Sequence, residues 1–436
     1  MRTPPATIAW IVIVLSALGI AIGQSRLDAD TPSSERGELA ILELQARILR
    51  GVAELRSGLA REQLPALHHA AHSAALARAV AAVEAGFPGA DGPSRRRALD
   101  LLDRLGDDSD VDHLLARAIR NPNGVAPSER ERLRQELGWF GRVVLSPADA
   151  GDAARVRHDG LRALIGIGSL ASLALLAVLT GVGLLLAARV RRDAGTFPTR
   201  FTPPGEHAGV YLEAFAVYLA IFFLVVVAPA LTGADLPALV GIGLVAASLA
   251  GAAWPLVRGV PLGVALRDLG LHRGAGVARE LVAGAVGYVA ILPVFAVGFA
   301  ISLGAVAVAD RLGGAEDTSA PISHPIVEML VAGDATVALM VQLLASGFAP
   351  FFEELMFRGA LYGPLRRSLG PIAAGLASGV VFAAIHPQGW LMIPALASLA
   401  LGFALVREWR GSLLAPMAAH AVHNGVLVIV LWTALR

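Results

Sequence analysis

The sequence predicts an all-α membrane protein, a polytopic helix bundle of about nine spans with a helical domain exported between spans 1 and 2. Low charge and its uneven placement carry that prediction. Only 16% of the 436 residues are charged and 55% are hydrophobic, with a mean hydropathy of +0.63. Soluble globular chains carry about 25% charge. Residues 24–160 hold 21 of the 35 acidic and 19 of the 36 basic residues, so a polar block interrupts an otherwise apolar chain. Every basic residue is Arg, a compositional bias from which no function follows. A net charge of +1 leaves no basic footprint for nucleic acid. The lack of cysteine excludes disulfides, thiolate metal sites and a Cys nucleophile.

The first apolar run, Ile8–Gly23, is preceded by one charge, Arg2, and reads as a signal anchor or a signal peptide, with Ala21 and Gly23 as small residues at a cleavage site. Residues 1–23 form this segment and residues 24–160 the exported domain. In that domain Gly37–Leu59 and Ala66–Ala85 have helical composition and spacing. Leu44, Ile48, Val52 and Leu55 fit one helical face, and Gly/Pro clusters at Phe87–Pro93 and Asn121–Pro127 separate hairpins. His68 and His72, four apart, would share a face where a metal could bind; a solvated surface is the plainer reading.

The further apolar runs are Leu161–Ala188, Gly209–Thr232, Leu236–Val257 and Leu281–Ala309, then four helices at about Ile326–Arg366, Pro371–His386, Leu391–Val406 and Leu413–Leu435. Residues 161–208 read as the second span and a cytoplasmic linker, and 209–436 as the core. Arginines cluster after the second, fourth, sixth and eighth runs, which places those ends in the cytoplasm. The N-terminus is then inside, and residues 24–160 and the C-terminus are outside. Trp390, Trp409 and Trp432 read as interface anchors and Glu213 as an interfacial residue.

Ionisable groups are costly in hydrocarbon, and those that occur there usually have a task. Here they cluster late. Glu353 and Glu354 precede Arg358, and Glu354 can pair with Arg358 at i,i+4. His386 closes an apolar helix that contains Phe382. His420 and Asn424 share a helical face, with His423 to one side. At about 1.5 Å per residue from the nearest cytoplasmic turn, Glu353, His386, His420 and Asn424 lie roughly 20, 24, 12 and 18 Å deep, one level of a core about 30 Å thick. Asp334 falls at the outer surface by the same measure. A carboxylate beside an imidazole can deprotonate a water, and a second His with an Asn can stabilise an oxyanion. Glu353, His386 and His420 are also a plausible zinc set, so no cofactor is fixed and zinc is the candidate. Gly375, Gly379, Gly402 and Gly411 suit close helix packing around a water-filled cavity. The bland alternatives are a structural ion pair, a capping His and interhelical hydrogen bonds.

These residues resemble the motifs of the CPBP intramembrane proteases, also called the CAAX-processing and bacteriocin-processing or Abi family. Glu353-Glu354 with Arg358 is similar to its EExxxR motif, Phe382–His386 to FxxxH and His420–Asn424 to HxxxN. The resemblance covers roughly Gly209–Leu435. It implies that Glu353 and His386 activate water, that His420 and Asn424 stabilise the oxyanion, and that Glu354, Arg358 and Phe382 support the site. Eukaryotic and archaeal relatives remove the last three residues of prenylated CAAX proteins, many bacterial relatives have other substrates, and metal use in the family is disputed. The expectation is an endopeptidase of a bacterial inner membrane acting on a membrane-associated protein or peptide. A catalytically silent scaffold or immunity protein is the alternative. A transporter fits less, since no repeat half matches the C-terminal cluster.

Overall fold

The computed structural model describes residues 5–30, 35–105, 109–232, 243, 247–312 and 325–435, which are mostly helical and contain no strand. They fall into two compact units. One comprises residues 33–174, 325–335 and 430–436, the other residues 1–32, 175–324 and 336–429.

The first unit holds the polar block. Its helices include Glu35–Leu55, Ala74–Gly86, Gly92–Leu105, Asp110–Arg120, Pro127–Leu137 and Trp139–Leu145. They close around one apolar core that includes Leu42, Leu76, Val80, Leu115, Leu133 and Val144. Two of the breaks fall at the expected Gly/Pro clusters, before Gly92–Leu105 and Pro127–Leu137, while Ser73 and Ser109 cap Ala74–Gly86 and Asp110–Arg120 after breaks that were not expected. Two expectations fail. The buried face of Glu35–Leu55 is Leu42 and Ala46 with Leu39, Leu49, Val52 and Ala53 beside them, while Leu55 is 73% exposed. Small residues define that face because the helix lies close to its neighbour: a Cβ on Gly51 would come within 2.3 Å of the Gly160 carbonyl oxygen. The His68/His72 face does not form either. Pro65 starts a 3-10 segment, Leu64–Ala70, and His72 follows it in a turn. His68 Nε2 lies 3.1 Å from Glu84 and His72 Nε2 2.9 Å from Glu38, two separate carboxylates.

Ala150–Asp193 is one helix of 44 residues that runs through residue 160 without a break, since no Pro or Gly/Asn cluster interrupts it. Among the described residues, six helices are long and apolar enough to cross a membrane: Ala150–Asp193, Ala208–Val225, Val277–Ala309, Ala335–Ser368, Trp390–Arg410 and Leu414–Ala434. Ala6–Ile22 and Pro371–Ala384 are shorter apolar helices. Of the expected run 236–257, residues 236–242 and 244–246 lie outside the described residues, and Ala250–Val257 is helical. Nine full spans are therefore not what the described residues display.

In the second unit, helix Ile393–Arg410 packs against Pro371–Ala384 and Val277–Arg311. Small residues permit this. A Cβ on Gly379 would meet the Ala397 oxygen at 2.7 Å, and one on Gly402 would meet Ile291 at 2.7 Å. Gly411 does a different job from the interhelical packing expected of it. With φ at +74° it caps the Ile393–Arg410 helix in the left-handed conformation, and buried Arg407 donates to its carbonyl. The single helix expected over 326–366 is divided. Pro325–Ala332 ends at Gly333–Asp334, and Ala335–Ser368 follows with two π-helical stretches, Leu344–Phe348 and Leu355–Leu361. Asp334 at the break is exposed.

Candidate active site

Glu353 and Glu354 stand on the α-helical turn Ala349–Glu354, between the two π stretches. Such local widening of a helix frequently marks functional positions. The two neighbours have different surroundings. Glu354 is fully buried, whereas the Glu353 side chain is 24% exposed. One Glu354 oxygen lies 3.0 Å from Arg358 Nη1 and accepts from His420 Nδ1 at 2.9 Å; the other has no hydrogen-bond partner. Arg358 donates to the Ala400 carbonyl at 3.0 Å, and its guanidinium lies 5.1 and 5.3 Å from the ring centres of Phe382 and Phe403. Phe403 also stacks on His420 at 4.7 Å, and Phe382 lies 4.1 Å from the His386 ring. The aromatic rings thus hold the arginine and both histidines in one block.

Three helical segments deliver the polar groups. Past the end of Pro371–Ala384, His386 Nδ1 is 2.6 Å from the Phe382 carbonyl oxygen. A carbonyl only accepts, so Nδ1 carries the proton and Nε2 presents a lone pair when the ring is neutral. An ionised Glu354 fixes the same tautomer on His420. The two free Nε2 atoms converge on Glu353 Oε2, at 3.9 Å from His386 and 3.6 Å from His420. These gaps exceed a direct hydrogen bond and suit a bridging water.

Asn424, on the same helix as His420, donates from Nδ2 to the Ala345 carbonyl at 2.8 Å, inside the first π stretch. Glu353, His386 and His420 are therefore brought together, with Glu354, Arg358 and Phe382 behind them, while Asn424 is anchored to the Glu353 helix. His423 is buried against Tyr288 and Phe295, away from the carboxylates. Glu213 pairs with Arg258 at 3.0 Å and accepts from Trp254 at 2.9 Å. The Glu354–His420 contact was not anticipated, because helical spacing gave Glu354 only Arg358. Among the described residues, no three His, Asp or Glu side chains form a group that could hold a metal ion. The zinc reading of Glu353, His386 and His420 gains no donor geometry from the fold.

Residues 335–426, about a fifth of the chain, match the family model described as type II CAAX prenyl endopeptidase Rce1-like, which is the CPBP family. The matched segment starts with the Glu353 helix and ends just past Asn424. No curated protein and no solved structure matches significantly.

Proposed function

We propose that this integral membrane protein is an intramembrane endopeptidase of the CAAX-protease type, which hydrolyses a peptide bond of a membrane-associated protein or peptide with a water activated by Glu353. The observation that carries the reading is the convergence of the accessible Glu353 carboxylate with the Nε2 atoms of His386 and His420. Water held between them attacks the scissile carbonyl, and the Glu353–His386 pair takes its proton. The carbonyl oxygen becomes an oxyanion, which in this reading His420, once protonated at Nε2, and the amide hydrogen of Asn424 not used on Ala345 stabilise. The held proton then passes to the departing amine as the C–N bond breaks. Glu354 and Arg358 orient His420 and do not touch substrate. No step is routed through a metal.

The test uses full-length protein in detergent with membrane-anchored peptides, prenylated and unprenylated. Glu353→Gln and His386→Ala are expected to abolish cleavage with unchanged melting. Cleavage at the wild-type rate in Glu353→Gln overturns the reading. A chelator arm addresses metal, and the two peptide sets address the lipid requirement. The arginine bias extends the proposal to an orientation with residues 24–160 outside, and the family resemblance to a bacterial inner membrane. The cysteine-free chain makes this easy to check, since a cysteine placed at exposed Arg61 should react with an impermeant thiol reagent on intact cells. Labelling only after lysis reverses the orientation.

A further inference from the structure

The polar unit contains a pocket of about 690 Å³, far from any residue given a role above in sequence. It is lined by Arg47 of the Glu35–Leu55 helix, Arg134, Trp139 and Arg142 of the Pro127–Leu145 region, and Arg155 and Asp159 on the helix Ala150–Asp193. Gly138 makes the corner that seats Trp139, with φ at +56°. Two buried donors in this lining lack acceptors. Trp139 is 7% exposed, and its Nε1 has no hydrogen-bond partner. The Nε of Arg47, whose guanidinium lies 5.7 Å from the Trp139 ring centre, has none either.

Both groups can only donate, so only an acceptor satisfies them. Unpaired buried donors are costly, and native interiors seldom keep them without a reason. The other arginines differ in how far they are committed. Arg134 is used up on Asp149, Asp152 and Glu131. Arg142 gives one nitrogen to Asp152 at 3.3 Å. Exposed Arg155 has no ion-pair partner among the described residues. Two carboxylates share the lining, Glu43 and Asp159. Glu43 is committed to Arg47, and burial, with the nearby Asp159 charge adding to it, pushes the Glu43 carboxyl above its ordinary range. His158, also in the lining, faces Asp159 at 3.5 Å. The balance of the lining is cationic, and its two buried atoms without a partner, Trp139 Nε1 and Arg47 Nε, are both donors.

The position of the pocket along its own helix narrows the ligand. Arg162 is the last charge before an uncharged stretch from Ala163 to Ala188, roughly 39 Å of helix. A hydrocarbon core takes about 30 Å of that, with headgroup layers of several Å beyond each side. Asp159 and Ala154 lie roughly 5 and 12 Å beyond Arg162. The pocket therefore opens at the level where phospholipid phosphates reside.

We propose that this pocket binds a phosphate group, held by the Trp139 and Arg47 donors with Arg142 and Arg155, and that its source is an anionic phospholipid headgroup. Native mass spectrometry of the full-length protein tests it, with phosphatidylglycerol, phosphatidylcholine or inorganic phosphate added to lipid-free micelles. Wild type should retain one phosphatidylglycerol over phosphatidylcholine. Trp139→Phe, which keeps the ring and removes the N–H, and Arg155→Gln should each weaken retention about tenfold, with circular dichroism unchanged. If Trp139→Phe lowers the melting temperature, Arg155→Gln at its exposed position decides. Retention of inorganic phosphate alone, lost in the same variants, upholds the phosphate site and assigns it a soluble ligand. Equal retention in wild type and Arg155→Gln, or no retention of any probe, overturns the proposal. Peptidase activity is not a readout, so the outcome is independent of the proposed function.

Discussion

The buried carboxylates of the polar unit and those of the Glu353–Glu354 cluster in the apolar unit are treated in opposite ways. Elsewhere in the apolar unit Glu280 is filled by Arg410 and the Ala275 N–H, and Glu408 by Tyr362 and Arg366. In the polar unit each is saturated. Asp112 accepts two bonds from Arg78, at 2.8 and 2.9 Å, and one from Ser109 at 2.6 Å. Asp152 is shared by Arg134 and Arg142, and Glu84 by Arg97 and His68. In the apolar unit Glu354 keeps one oxygen without a partner, Arg358 keeps two nitrogens without hydrogen bonds, and Glu353 faces two imidazoles at distances too long to bond. Ion pairs that only hold a fold together fill their valences, because each unfilled one costs free energy. Under the proposed function the open positions around Glu353 are the ones that meet another molecule, with buried Glu354 and Arg358 behind them.

Three substitutions sharpen that contrast. Glu353→Gln has the largest expected effect, a loss of about 10³-fold in peptide cleavage, the size typical of a general base. Its melting temperature should stay at the wild-type value, since Glu353 is partly exposed and holds no partner in place. A comparable loss of stability would move Glu353 into the structural class. Arg358→Met should act through stability instead. It leaves Glu354 charged and buried without its cation, which typically costs 3–5 kcal/mol. Denaturation in mixed micelles reads this directly, and a change below about 1 kcal/mol would show that the pair is dispensable.

Asp112→Asn is the smallest of the three, about 2 kcal/mol for bonds to a charged group. Its signature is pH. The Arg78 hydrogen bonds, opposed by burial and reinforced by Ser109, hold the Asp112 carboxyl below its ordinary value of 3.8. A lowered carboxyl stabilises the fold fully above that ordinary value and loses its contribution as pH falls through the folded one. Melts of wild type and Asp112→Asn should therefore differ at pH 6 and converge only as pH falls well below 3.8, toward the lowered folded value. A constant gap across that range would assign the effect to packing.

The site was legible in the sequence to an unusual depth because few ionisable residues interrupt the C-terminal apolar runs. Glu353, His386 and His420 stood out by their rarity, and the three turns expected to be cytoplasmic put them at one expected depth. The same arithmetic could not show which glutamate meets which histidine. Helical spacing assigns Glu354 to Arg358, but it carries no information about a helix 66 residues away that brings His420 to the same oxygen. It also missed the π stretches, which have no apolar periodicity of their own and shift the register through which Asn424 reaches Ala345.

In the polar unit the balance was reversed. Breaker clusters placed its helix ends, yet the buried face of Glu35–Leu55 was misread, because large apolar residues were weighed above the small ones that permit close approach at Gly51. Spacing offered His68 and His72 a shared face beside the plainer reading of a solvated surface, whereas the fold gave each its own carboxylate, Glu84 and Glu38. By itself the sequence determined the membrane class, the polar interruption and the residues worth watching, since hydropathy, charge and helix breakers act locally along the chain. Only the tertiary structure decided which of those residues touch, which donors remain unmet and where a pocket opens, since those depend on the approach of helices remote in sequence.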